Sequence, residues 1–137
     1  MDKVSKVQNP NRPKVYVSWK EINQLVDKLV DKIKKSNYKF TSIYGIPRGG
    51  MIIAVLLSHK LNKPVVEGKG INPGTLIVDD ITDEGSTLND IWNGYFQTKI
   101  WQLPTATLHM RRGSQHQPTF YSKEIVKEWL VYPWEID

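Results

Sequence analysis

Two adjacent carboxylates, Asp79 and Asp80, close the apolar run Leu76, Ile77 and Val78, and Ile81, Thr82, Asp83, Glu84, Gly85, Ser86 and Thr87 follow directly. The turn Gly85-Ser86-Thr87 then opens an amphipathic run, Leu88, Ile91, Trp92, Tyr95 and Phe96, so the stretch reads as strand, acidic loop, helix. In an open α/β sheet the loop beyond the carboxyl end of a strand is where ligands bind, and a helix N-terminus with free backbone N–H groups attracts anions. Carboxylates beside a phosphate cradle suit a sugar phosphate: its hydroxyls and a bound Mg²⁺ want carboxylate, and its phosphate wants N–H and hydroxyl donors. Substrates of that kind are phosphoribosyl compounds. The bland alternative is an acidic turn with Ser86 as the helix N-cap. The loop carrying Asp79 and Asp80 is expected to face solvent.

A second constellation is Gly45-Ile46-Pro47-Arg48-Gly49-Gly50, which follows the β-rich run 40–44 and precedes the apolar run 51–61. Strand, glycine-rich loop and helix again make a phosphate-binding layout, with Arg48 as a guanidinium for an anion, although the glycines also admit a plain turn. Arg111 and Arg112 are an exposed pair or planar fork donors for a carbonyl or phosphate oxygen. Trp129 is a core aromatic or a stacking platform. His109 and His116 are read as bystanders. No His or Cys cluster has metal-ligand spacing, so a metal here must be a hard ion held by oxygen, Mg²⁺ on Asp79 and Asp80.

These groups need elements to hold them. Val15, Tyr16 and Val17 form a short strand candidate, and Ser18 with Glu21 is a capping box for the helix that follows. Ile22, Leu25, Val26, Leu29, Val30 and Ile33 recur at spacings of three and four, one apolar stripe on a helix ending near Ser36. The run 51–61 is apolar on nearly every side and reads as a buried helix. Further strands are expected over 64–66, 76–78, 106–110 and 119–122, with 129–134 closing the chain. Positions 1–14 hold amides and prolines without periodicity, an extended or disordered arm, and 15–137 form a single domain. The alternation of strands and helices gives an α/β class.

At 137 residues, 39% hydrophobic and 24% charged, the chain is long enough for one core. It has no cysteine, which removes disulfides and thiolate metal sites and fits a reducing compartment. The apolar run 51–57 is too short to span a bilayer and the N-terminus shows no signal-peptide core, so a cytoplasmic protein without membrane partners is expected. The net charge of +5 is scattered, with much of it on Lys28, Lys32, Lys34 and Lys35 of one helix. That pattern reads as a solvated face rather than a nucleic-acid surface.

The run 76–87 resembles the signature that binds 5-phosphoribosyl 1-pyrophosphate (PRPP) in the type I phosphoribosyltransferases: apolar residues, two acids, two spacers, Asp, an acidic or hydroxyl residue, Gly, a small residue and Thr. The ending, Trp129 with Pro133-Trp134-Glu135, is similar to the C-terminus of the bacterial xanthine-guanine members, and the resemblance runs over 15–135. It implies a mainly parallel twisted sheet with helices on both faces and a small lobe of C-terminal strands. It implies PRPP and a 6-oxopurine as substrates, Mg²⁺ as cofactor, and an oligomer of identical chains, a dimer or tetramer. By position, Asp79 and Asp80 would hold the ribose and the metal, and residues Asp83, Glu84, Gly85, Ser86 and Thr87 the 5′-phosphate. Pro47, Arg48, Gly49 and Gly50 would grip pyrophosphate, with the peptide before Arg48 cis. Trp129 would stack on the purine, the Leu130 backbone would read its ring substituents, and Arg111 would donate to the 6-oxo group in place of the usual Lys. Asp83 would be the proton acceptor or partner of the purine N7. The chain departs from the family at 67–74, where most members insert a long hairpin that closes over PRPP. A second reading, a phosphoribosyltransferase fold serving as a nucleotide-sensing, RNA-binding regulator, fits that departure and the positive charge.

Overall fold

The computed structural model describes residues 11–83, 103–114 and 117–135. The chain starts in β1 (Lys14–Tyr16) and enters α1 (Trp19–Ser36), then β2 (Ser42–Gly45), α2 (Gly49–Leu61), β3 (Thr75–Thr82), β4 (Thr105–Arg111), β5 (Phe120–Ile125) and β6 (Trp129–Val131).

α1 begins where the sequence puts a cap: Ser18 Oγ accepts from the Glu21 amide at 3.1 Å. It ends at Asn37, whose φ of 58° is the left-handed turn that closes a helix. Its six buried residues are the six of the predicted stripe. Burying each contributes roughly 1.5–3 kcal/mol. α2 starts two residues earlier than the apolar run implies, at Gly49, and Asn62 ends it with φ 55°. The expectation that α2 is covered on nearly every side does not hold, because Met51 and Val55 are exposed. Packing on β2 and β3 requires only one face of a helix, and Ile53, Ala54 and Leu57 supply it.

The main sheet is wholly parallel, in the order β2-β3-β4-β5. β3 is buried along its whole length. Leu76 and Val78 enter the large core shared with both helices, whereas Ile77 between them packs with Ile46 and Leu103 in a second cluster. This alternation is what a parallel strand covered on both faces shows. The helix expected over 88–96 lies outside the described residues. Position 65 does not begin a strand, as 64–66 implied, but forms an isolated bridge to Ile43 at the sheet edge. β5 joins the main sheet, leaving β6 to pair with β1 in a separate two-stranded parallel sheet. The small lobe is therefore half N-terminal. Trp129 N donates to Pro13 O, so the order attached to β1 reaches back past Lys14, into the arm expected over 1–14. Residues 1–10 of that arm lie outside the described residues.

Candidate functional site

Parallel strands bring their carboxyl ends to one edge, and the sequence places its acids and its glycine loop there. Gly45 of β2 is in register with Val78 of β3, and Ile46 N donates to Val78 O at 2.8 Å, which draws the 46–50 loop onto the end of β3. The approach leaves no space for a side chain. A Cβ on Gly49 would fall on the Asp80 carboxylate, and one on Gly50 would stand 2.5 Å from Val78 O and 3.0 Å from the Asp79 Cα. Glycine is required at 49 by the Asp80 side chain and at 50 by the β3 backbone, rather than by an unusual φ. The Pro47–Arg48 peptide is cis, the geometry the resemblance implies, and Arg48 is exposed at the loop tip.

Asp79 and Asp80 do not face solvent as expected. They are buried, at 2% and 1% exposure, because the ladder to β4 continues past them to Ile81–His109 and Thr82–Met110. Each turns one oxygen onto the next amide: Asp79 Oδ1 accepts from Asp80 N and Asp80 Oδ1 from Ile81 N, both at 2.8 Å. Adjacent buried carboxylates are costly without a cation or hydrogen-bond donors. Among the described residues no group of three or more His, Cys, Asp or Glu side chains could hold a metal. Mg²⁺ is commonly held by only one or two carboxylates with substrate oxygens and water completing the shell, so this oxygen-only pair fits that ion.

Asp83, three residues on, lies against Arg111 at the end of β4. Arg111 is 5% exposed; its Nε donates to Asp83 Oδ1 at 2.6 Å, Nη1 to Val126 O at 2.9 Å and Nη2 to Glu128 O at 2.8 Å. Among the described residues, three of its five N–H donors thus go to protein acceptors. Arg111 ties the third acid to the turn that leads into Trp129. That turn is closed by the Glu128 carboxylate, which is held below the usual range by the backbone N–H groups of Glu128 and Val126. Ser114 Oγ lies within 3.1 Å of the carbonyls of Thr82, Asp83 and Arg111, another tether on the same loop. Thr82 Oγ1 is buried with no hydrogen-bond partner among the described residues. Arg112 turns outward to Glu124.

No family model matches the chain. The purine phosphoribosyltransferase of Pyrococcus horikoshii superposes with a TM-score of 0.76 at 29% identity, covering 90% of this chain and 95% of that one. The fold is that of a type I phosphoribosyltransferase. Along the sequence the chain is 24% identical to the xanthine-guanine phosphoribosyltransferase of Cereibacter sphaeroides, over 93% of this chain and 90% of the relative. It is also 25% identical to the transcriptional regulator GfcR of Methanocaldococcus jannaschii, over 65% of this chain and 54% of that protein. The resemblance read from the residues holds.

Within this phosphoribosyltransferase fold the described site candidates share one rim. Arg48, Gly49 and Gly50 lie beside Asp79 and Asp80, Asp83 is joined to Arg111, and Arg111 reaches the turn before Trp129 and Leu130. Trp129 is half-buried at the start of β6 and Leu130 is buried. Glu84, Gly85, Ser86 and Thr87, expected at the 5′-phosphate, lie outside the described residues, as does His116. His109, read as a bystander, is packed inside the fold rather than on its surface. It is 1% exposed and its Nδ1 is 2.8 Å from the Tyr132 hydroxyl, which donates to Asp80 O at 3.3 Å. Burial, then the charges of Asp80, Asp79, Glu135 and Asp83, push the Tyr132 phenol well above its ordinary pKa, so it keeps its proton. Sequence reading missed Tyr132, because nothing local marks a tyrosine that meets a residue 52 positions away.

The connection at 67–74 is short and bonded to itself. Gly68–Gly70 forms a single 3-10 turn, Gly74 N donates to Asn72 Oδ1 at 2.8 Å, and Asn72 N donates to Thr75 Oγ1 at 2.9 Å. Among the described residues no helix is long and apolar enough to cross a membrane.

Proposed function

We propose that this protein joins a 6-oxopurine base (guanine, xanthine or hypoxanthine) to PRPP: the purine N9 bonds to C1′ of the ribose, the C1′–oxygen bond to pyrophosphate breaks, and the N9 proton is lost to a base. The observation that carries this reading is the seating of the glycine loop directly on the buried Asp79–Asp80 pair, which sets an anion-binding backbone beside carboxylates within one substrate's reach. Relatives named as purine and xanthine-guanine phosphoribosyltransferases support the base class.

In this reading Asp79 and Asp80 hold the ribose hydroxyls and Mg²⁺, which when bound neutralises charge on the leaving group. Residues 47–50 receive the pyrophosphate, with Arg48 offering a guanidinium, and residues 83–87 take the 5′-phosphate. Trp129 stacks on the base, the Leu130 backbone reads its substituents, and Arg111 donates to the 6-oxo oxygen. Asp83 accepts or shares the purine proton. Catalysis is then positioning and electrostatic stabilisation of a transition state with positive charge on the ribose.

The test is direct: PRPP, Mg²⁺ and guanine should yield GMP and pyrophosphate. The regulator reading draws on the GfcR relative, which covers less of this chain, and on the net charge of +5. It predicts RNA binding with a steep salt dependence and no product. Trp129→Ala should raise the purine KM by about 5- to 150-fold while moving the PRPP KM little, since a stacked base contributes about 1–3 kcal/mol. Equal effects on both substrates would assign Trp129 to folding instead.

A lid hairpin ordinarily keeps water from an electron-poor C1′ and commits the substrate. With the compact 67–74 connection in its place, the protein should release PRPP quickly and hydrolyse a measurable share to ribose 5-phosphate when no base is present. Deleting residues 1–10, which spares β1 and the Pro13 bond to Trp129, should leave PRPP affinity and rate unchanged. Loss of both without unfolding would make the N-terminal segment the lid.

A further inference from the structure

Three segments distant in sequence converge on Asp80. One is the 46–50 loop, through Gly49. The second is β4, whose His109 holds the Tyr132 hydroxyl, and the third is the C-terminal turn after β6, whose Tyr132 donates to Asp80 O. This turn is braced: Glu135 N donates to Tyr132 O at 3.0 Å, and Tyr132 N donates to Glu135 Oε1 at 2.8 Å. The Tyr132 ring lies flat on Trp134, with centroids 4.8 Å apart and planes within 3°, and Trp134 leans on the half-exposed Trp19 at 5.7 Å. Trp134 Nε1 stands 3.2 Å from the point a Cβ on Gly49 would occupy, the point the Asp80 carboxylate fills.

With the phenolic hydrogen directed at the Asp80 carbonyl, His109 holds its proton at Nδ1 and donates to the phenolic oxygen. The bond chain His109–Tyr132–Asp80 thus clamps the main chain of the second acid. Tyr132 also lies in the segment that begins with Trp129 and Leu130. The tyrosine therefore joins the strand assigned to the base to the acid assigned to the ribose and metal.

We propose that Tyr132, held by His109, is a positioning residue for PRPP that fixes Asp80 against the pyrophosphate loop; the inference rests on the proposed function above. It touches no substrate itself. Its removal should loosen the ribose and metal half of the site and leave the stacking surface for the base in place.

The test is Tyr132→Phe, which deletes one oxygen and keeps the ring on Trp134. Calorimetry with PRPP at saturating Mg²⁺ should show binding weakened about tenfold, the scale of one hydrogen bond to a buried group. The purine KM at saturating PRPP should stay within about twofold of the parent value. His109→Asn, which retains an N–H donor near the Nδ1 position, should keep PRPP affinity. His109→Leu should match Tyr132→Phe, and the double variant Tyr132→Phe, His109→Leu should be no weaker than either alone, the mark of two residues acting as one unit. Unchanged PRPP affinity in Tyr132→Phe, or equal losses for PRPP and purine, would overturn the proposal while leaving the function intact. A parent protein that binds no PRPP at all would overturn both.

Discussion

The double substitution Asp79→Asn, Asp80→Asn is expected to abolish Mg²⁺-dependent PRPP binding without lowering the unfolding temperature. Both side chains are almost fully buried, so each carboxylate has lost most of its hydration and sits next to a like charge. Asparagine keeps an oxygen where Asp79 Oδ1 and Asp80 Oδ1 accept the next amide, so the backbone bonds at the end of β3 survive. What disappears is negative charge, which a ligand and its cation need and the fold does not. Exchanging the charge of binding-site carboxylates for neutral amides commonly stabilises a protein at the cost of its function. Calorimetric titration of PRPP with Mg²⁺, together with thermal melting, reads both effects. Retained PRPP affinity would sink the assignment of these acids, and a melting temperature that falls by many degrees would make them structural.

Asp83→Asn should spare PRPP binding and lower turnover by about 10²- to 10⁴-fold, the range for losing a positioned proton acceptor. Asp83 is partly exposed, with 17% of its side chain open to solvent, and one of its oxygens is already engaged by Arg111 Nε. Asparagine can still accept that bond through its amide oxygen, so the tether from Arg111 to the 126–128 turn stays in place. The measured loss then reports proton transfer rather than collapse of the base side. Arg111 is different. It supports the Val126 and Glu128 carbonyls as well as Asp83, so removing it takes the donor from three acceptors at once. A substitution at Arg111 therefore mixes folding with recognition, and Asp83 is the cleaner probe. Single-turnover kinetics at saturating PRPP and guanine would separate the step. A turnover within tenfold of the parent would remove Asp83 from the proton path.

Local chemistry made much of this protein legible in the sequence. The α1 stripe, its Ser18 cap, the glycine loop between strand and helix, and the acid pair at a strand end are each specified by residues within a few positions of one another, which is where helix periodicity, capping and turn preferences act. The tertiary structure alone decided what depends on register and on contacts across the chain. The expectation that Asp79 and Asp80 face solvent failed because the run of residues cannot reveal how far β4 extends beside β3, and that overlap buries them. β5 pairs in the main sheet, and β6 finds β1 at the other end of the chain; no local signal specifies a partner strand. Arg111 looks like an open fork in the sequence, yet three distant oxygens converge on it in the fold. Tyr132 and His109 were unreadable for the same reason. A buried hydrogen bond between residues 23 positions apart exists only once strand order and register have brought them together.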